Sequence, residues 1–311
     1  AHLRGEDALV RIDGGLPSPA AEPGPDFAEV RGQWFARRAL EIAAAGGHSV
    51  LMVGSPGAGK SMLAQRFAGL LPGLDADEAL ECALVQSIAA RFDPARWGLR
   101  PFRSPHHTAS AAALAGGGNP PRPGEVTLAH LGVLFLDELP EFRGQALEVL
   151  REPLESGEIT ISRAARQAGS GLRECNCSAQ EVLRYQRTLS GPLLDRSDIR
   201  IEVEPVPPAE LDCASEGEPT AAVRTRVAAA LALQLERQGC PNAQLGPAAI
   251  DRHCTASPPA RALLRDAAAR LGWSARAWHR VLRVARTAAD LAAQELIDAP
   301  QVAEAIQLRR A

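Results

Sequence analysis

With 311 residues and 46% hydrophobic content, the chain is long enough to build one large core or two medium ones. A net charge of −3 excludes a generally basic nucleic-acid coat, although not a local basic surface. No apolar run approaches bilayer length and no secretory signal is read, so the six cysteines point to a reducing cytoplasm rather than a disulfide frame.

In chain order, Ala1–Asp13 reads as the tail of a preceding domain, and Gly14–Pro25 as a Pro/Gly-rich linker. The absence of a methionine at Ala1 fits a fragment or a processed chain. From 26 to 204, strand-like and helical stretches alternate, which predicts an α/β domain. A helix is expected over Trp34–Ala45, stopped by Gly46-Gly47, and a buried strand over Ser49–Val53. Next comes Gly54-Ser55-Pro56-Gly57-Ala58-Gly59-Lys60-Ser61, the phosphate-binding pattern G-x-x-x-x-G-K-[ST], and then a helix over Met62–Leu71. Strand, glycine loop and helix turn backbone N–H groups and a helix N-terminus toward an anion. Lys60 is the single lysine in a chain with 34 basic residues. A compact ammonium fits between the β- and γ-phosphates, where a planar guanidinium needs more room. The expected ligand is a nucleoside triphosphate.

Further on, Gly132–Leu136 predicts a second buried strand, ending in Asp137-Glu138. Paired with a phosphate loop upstream, these carboxylates suit metal and water chemistry. Asp137, with Ser61, would hold Mg²⁺, and Glu138 would polarise the attacking water. A third strand is expected over Ile199–Val203. Just before it, Asp195-Arg196 reads either as an ordinary ion pair or as an arginine reaching a neighbour's γ-phosphate. Beyond Pro205-Val-Pro-Pro208 the stretches 218–238, 258–271, 274–294 and 299–310 carry helical periodicity only. The region 205–311 is therefore expected to be a separate helical domain, and the heavy use of alanine suits such packing. Within it, Ser274 is a candidate N-cap that puts Arg276 in a first helical turn. A cation there opposes the helix dipole and calls for an anionic partner, for which a nucleotide phosphate would serve.

The stretches Gly54–Ser61, Arg103–Ser110, Pro121–His130, Leu134–Glu141 and Arg151–Glu155 resemble the ComM-type, magnesium-chelatase-like AAA+ ATPases. The resemblance runs from about Asp26 to the C-terminus. It implies an α/β P-loop AAA+ core, with a parallel sheet flanked by helices and a C-terminal all-helical lid domain. It also implies a hexameric ring with nucleotide at subunit interfaces, acting as a motor for DNA branch migration in natural transformation. By the same match Arg196 stands at the arginine finger and Arg276 at the lid's second sensor, and His106-His107 fall in an insertion near the ring's pore. Family members carry an N-terminal Lon-protease-like domain, of which at most the last strand would remain in this sequence. They also carry a strand with a first-sensor asparagine and a Cys-x-Cys pair, where this chain has only Gly169–Glu174. Without that strand the sheet should fail, so residues are expected to be missing from that interval. Cys175-Asn-Cys177 would then be half of a four-thiolate zinc site.

Two hairpin-like insertions are expected, Gly116–Gly124 and Ser156–Arg166; they read either as solvated turns or, by the likeness to ring-shaped helicases, as channel hairpins whose Arg122, Arg163 and Arg166 would meet single-stranded or branched DNA. The later arginines Arg265, Arg270, Arg280, Arg283 and Arg286 are expected on solvated faces or subunit contacts. The resulting expectation is a cytoplasmic DNA motor driven by ATP hydrolysis. Its alternatives are a chelatase-type subunit that remodels a partner protein and a nucleotide-binding scaffold that no longer hydrolyses.

Overall fold

A computed structural model describes residues 24–117, 122–150, 160–164, 197–207 and 217–309, with 160–164 described by backbone alone. The core of the fold is a five-stranded parallel sheet. Its strands are β1 (Val50–Gly54), β2 (Phe102–Arg103), β5 (Val133–Leu136), β6 (Thr160–Ala164) and β7 (Ile199–Glu202). They lie in the order β2-β5-β6-β1-β7. Val-Leu-Met and Val-Leu-Phe-Leu read as unbroken apolar runs because both faces of a parallel sheet are covered. Alternate residues serve the two faces. Val50, Met52, Val133 and Phe135 join one cluster, while Leu51, Leu134 and Leu136 join a second with Leu114, Leu139 and Phe142.

The first face is covered by α1 (Trp34–Gly46) and α2 (Lys60–Leu70). Helix α1 stops where predicted, its last turn closed by Gly47 in the left-handed region at φ +68. Helix α3 (Ala76–Ile88) begins at a reciprocal capping box between Asp75 and Glu78. On the second face lie three one-turn helices, α4 (Ala111–Ala115), α5 (Glu125–Leu128) and α6 (Gly144–Glu148). Between α4 and α5 runs an antiparallel ribbon, β3 (Gly116–Gly117) with β4 (Arg122–Pro123), so the first expected hairpin is present.

The C-terminal region is helical, as expected: α7 (Thr220–Gln238), α8 (Pro247–His253), α9 (Pro258–Leu271), α10 (Ala275–Leu291) and α11 (Ala299–Gln307). Ser257 and Asp298 cap α9 and α11, each followed by proline in the first turn. Helices α7 and α10 pack on α1, so these helices share one apolar cluster with the sheet. Polar ties cross the same boundary: Gln234 Nε2 donates to Ala45 O at 3.0 Å, and Arg226 pairs with Glu41 at 2.6 Å. Asp26 accepts from Ala28 N and from Thr220 N, which joins the start of α7 to the entry of the α/β region.

Two expectations change. Thr160–Ala164, read from sequence as part of a hairpin-like insertion, is the strand that fills the sheet between β1 and β5. Those two strands would otherwise leave rows of N–H and C=O groups unpaired, and Thr-Ile-Ser suits an extended, bridged segment. The sheet is therefore continuous, and Arg163 lies in register with Val53 rather than at a hairpin tip. The second change concerns the late arginines. Arg265 and Arg270 are exposed, but Arg286 is buried, its Nε donating to Asp290 and an Nη to Glu295 O at 2.6 Å. Arg280 pairs with Asp198 at 3.1 Å.

Candidate functional site

Strand β1 delivers Gly54 to the C-terminal end of the parallel strands, and α2 starts at Lys60. Between them Gly57 (φ +81) and Gly59 (φ +93) take left-handed conformations that side chains resist. Gly54 is needed for a different reason: a Cβ there would stand 2.2 Å from Val203 O. The loop so formed curls over the Lys60 side chain, which is 5% exposed. Its Nζ donates to Gly54 O at 3.0 Å and to Ser55 O at 2.8 Å. Burial lowers the Lys60 pKa, and the charge of Asp137 opposes that shift.

Ser61, in the first turn of α2, donates its Oγ to Asp137 Oδ2 at 2.7 Å. Asp137 Oδ1 accepts from the Glu138 N–H at 3.0 Å, so one carboxylate is fixed at both oxygens. Glu138 takes a left-handed backbone (φ +51), unusual for a residue with a Cβ. Its Oε2 stands 3.1 Å from His107 Nδ1, and the His107 ring lies against His106 with centroids 4.0 Å apart. His106 is held in turn by Thr108, its Nδ1 being 2.9 Å from Thr108 Oγ1. Lys60, Ser61, Asp137 and Glu138 are thus brought to one end of the sheet by β1, α2 and β5.

Sequence reasoning missed two groups. Gln33, left-handed at φ +50, donates its Nε2 to Ala58 O of the loop at 2.7 Å and to Glu204 O at 3.3 Å. Its Oε1 is buried and, like Ser55 Oγ, has no hydrogen-bond partner among the described residues. Gln33 also opens onto a cleft of about 620 Å³ lined by Trp34, Phe35, Val203, Pro205 and Val206, with Trp34 67% exposed. An exposed Trp-Phe pair at a helix start, directly after Gly-Gln, was the available hint. For His107, expected in an insertion near a ring's pore, what escaped the sequence is its meeting with Glu138, which no local pattern marks.

The remaining candidates are scattered. Arg122 is exposed on β4. Arg163 has its backbone in β6, while Arg166, Cys175, Cys177 and Arg196 lie outside the described residues. Arg276 is exposed in the first turn of α10, with Ser274 Oγ accepting from Ala277 N at 3.3 Å as predicted. A buried polar cluster joins α10 to the start of β7. In it Asp198 meets Arg280 and, at 3.5 Å, His48 Nδ1, whose Nε2 is 2.8 Å from Thr287 Oγ1. Burial pushes the Asp198 carboxyl up, but His48, Arg280 and Arg283 outweigh it and hold the pKa below the usual range. Among the described residues no three His, Cys, Asp or Glu side chains gather as a metal cage. Magnesium bound with a nucleotide does not need one. It takes one or two protein oxygens and completes its octahedron with phosphates and water. The Ser61–Asp137 pair beside a buried lysine fits that demand.

The family described as magnesium chelatase, subunit ChlI, matches residues 26–170 and 167–211, and its C-terminal counterpart matches 217–309. The two core stretches meet at 167–170, at the edge of the interval where residues are expected to be missing. A protein named YifB from Salmonella typhimurium is 44% identical over 330 residues, covering 99% of this chain and 65% of its own. The competence protein ComM of Haemophilus influenzae is 44% identical over 304 residues, covering 91% of this chain and 60% of its own. A Mycobacterium tuberculosis protein is 40% identical over 334 residues, covering 99% of this chain and 66% of its own. The chain spans less than two thirds of the length of these relatives. No helix among the described residues is long and apolar enough to cross a membrane.

Proposed function

Because the chain belongs to the magnesium chelatase, subunit ChlI, family of AAA+ ATPases, we propose that it hydrolyses ATP and uses the energy to move DNA. The observation that carries this reading is a buried Lys60 under one glycine loop, with the Ser61–Asp137 pair at the start of α2 and Glu138 next to Asp137. Loop N–H groups and Lys60 bind the β- and γ-phosphates. Ser61 and Asp137 hold Mg²⁺, which when bound spreads the charge developing on the phosphate oxygens. Glu138 orients a water molecule and accepts its proton as the water oxygen bonds to the γ-phosphorus. The bond from that phosphorus to the bridging oxygen breaks, leaving ADP and phosphate. The cleft beside Gln33 supplies apolar and aromatic walls for a planar base, and the buried Gln33 Oε1 a free acceptor.

In this reading 26–204 form the nucleotide-binding domain and 205–311 the lid. Arg276 meets nucleotide phosphate from the lid, and Arg196 reaches the nucleotide of the next subunit in a hexameric ring. Arg122 on the ribbon meets DNA phosphates, and the motor acts in branch migration during transformation. The ComM name of one relative supports this role. The family's chelatase name supports a second reading, a subunit that remodels a partner protein. Release of a labelled strand from a three-strand branched DNA separates the two. ATP-dependent release by the purified chain supports the motor, and ATP turnover with no strand release at any chain concentration favours the partner-protein reading.

A further inference from the structure

We infer that the outward face of α3 is a contact surface for a second copy of this chain, joined to it across a two-fold axis at Leu84. Leu80, Leu84 and Ile88 follow one another at four-residue spacing along α3 and are 53%, 57% and 72% exposed. Phe92, just past the helix end, is 41% exposed. Single exposed leucines are ordinary, but a row of large aliphatic side chains along one helix face is the pattern of a helix that packs on another. The opposite face of α3 is already used. Ala79 and Cys82 are buried there, with Cys82 Sγ 3.4 Å from His130 O. Both helix ends are fixed as well. The Asp75–Glu78 capping box holds the start, and Ala90, left-handed at φ +55, closes the end as Arg91 N donates to Gln86 O at 2.8 Å. The apolar row thus sits on a rigid mount rather than on a loop.

Charges along the helix select the partner. Asp77 is exposed in the first turn of α3, and the turn beyond its last residue carries exposed Arg91. Arg91 lies 3.3 Å from Glu125, but Arg103 already holds both oxygens of that carboxylate, at 2.6 and 2.9 Å. Two cations on one carboxylate leave positive charge to spare at Arg91. When two copies of α3 run antiparallel with Leu84 facing Leu84, each Leu80 meets the second copy's Ile88. The same register sets each Asp77 level with the turn that carries the second copy's Arg91. A parallel pairing would instead oppose like charges, aspartate to aspartate and arginine to arginine. The surface is therefore complementary to itself. Such a like-to-like contact differs from the head-to-tail contact that closes a ring of more than two copies. One helix row lies at the small end of stable interfaces, so the association is a weak one.

The test oxidises the purified chain carrying Leu84→Cys, Leu80→Cys or Ile88→Cys, with the wild type alongside to set the background from its own cysteines. Helices packed about 8–10 Å apart bring Cα atoms that face each other within the span a disulfide closes. Only a residue on the two-fold axis links to itself. Leu84→Cys should therefore give a linked dimer about tenfold above background, with the 84–84 peptide identified by mass spectrometry. The Leu80 and Ile88 variants should stay at background alone and link to each other when mixed. No 84–84 link, or equal linking at all three positions, would overturn the two-fold contact. Analytical ultracentrifugation tests the charges. Asp77→Arg and Arg91→Asp should each weaken self-association by about tenfold, and both changes in one chain should restore it, because each copy supplies both halves. Self-association unaltered by either swap and by Leu84→Asp, in variants with a wild-type melting curve, would also overturn the inference. If those variants instead lose DNA binding while self-association holds, the face serves nucleic acid and not a second copy.

Discussion

Replacing Lys60 by methionine isolates the ammonium from the packing of its stem. The Lys60 side chain is 5% exposed, and its Nζ is satisfied by only two loop carbonyls. Burial already disfavours the charged form, which lowers its pKa. Methionine keeps the length and apolar contacts, so the free protein loses two hydrogen bonds but also the cost of a buried charge. Those effects nearly cancel, and the thermal midpoint of the free protein should stay within about 4 °C of wild type. Binding of ATP is another matter. Charge-assisted hydrogen bonds are each worth about 1.5–3 kcal/mol, so losing the contacts to two phosphates weakens affinity by on the order of 100-fold or more. Titration calorimetry with ATP and Mg²⁺ reads this directly. An ATP affinity equal to wild type, in a variant with a wild-type melting curve, would refute the assignment of Lys60 to the phosphates.

Other perturbations address different parts of the account. Arg196→Ala should bind ATP normally but lose turnover, and mixing it with Glu138→Gln subunits should restore activity at hybrid interfaces; mixtures dead at every ratio would remove its trans-acting role. Asp198→Asn leaves Arg280 with a neutral neighbour in a buried site and should cost about 3–5 kcal/mol in chemical denaturation. The sign with pH follows from its depressed pKa. The stabilisation is present above the unfolded carboxylate's pKa and is lost as pH falls through the lower, folded value. The wild-type protein should therefore destabilise in acid more than the Asn variant does, and parallel pH profiles would count against this cluster as the cause. Arg122→Ala should weaken DNA binding on all sequences alike and reduce the salt slope by about one; an unchanged slope would take the ribbon out of the interface.

The parts of the molecule that could be read in advance are those whose meaning is local. A glycine loop followed by lysine and serine, and an apolar strand ending in two carboxylates, carry their chemistry within a few residues. The structure brings Ser61 and Asp137 within hydrogen-bond distance, as that chemistry requires. The long helices of the C-terminal region were visible for the same reason, through periodicity and caps. Thr160–Ala164 was misread because its short run sits among residues that suit a turn, and only the unfilled place between β1 and β5 decides it. His107 and Glu138 meet where the segments that follow β2 and β5 come together, a relation that sequence spacing does not encode. Arg286, expected on a solvated face or a subunit contact, is instead buried. Its burial depends on Asp290 one turn later and on the carbonyls of Gln294 and Glu295 beyond the end of α10.

The central claim is that this chain hydrolyses ATP at the Lys60 loop and that DNA drives the turnover. Phosphate release by the purified chain, with and without branched DNA and beside its Glu138→Gln variant, tests it most directly. The account predicts turnover that rises with DNA and vanishes in the variant. Firm ATP binding with no turnover in either condition, or turnover that survives Glu138→Gln, would contradict it.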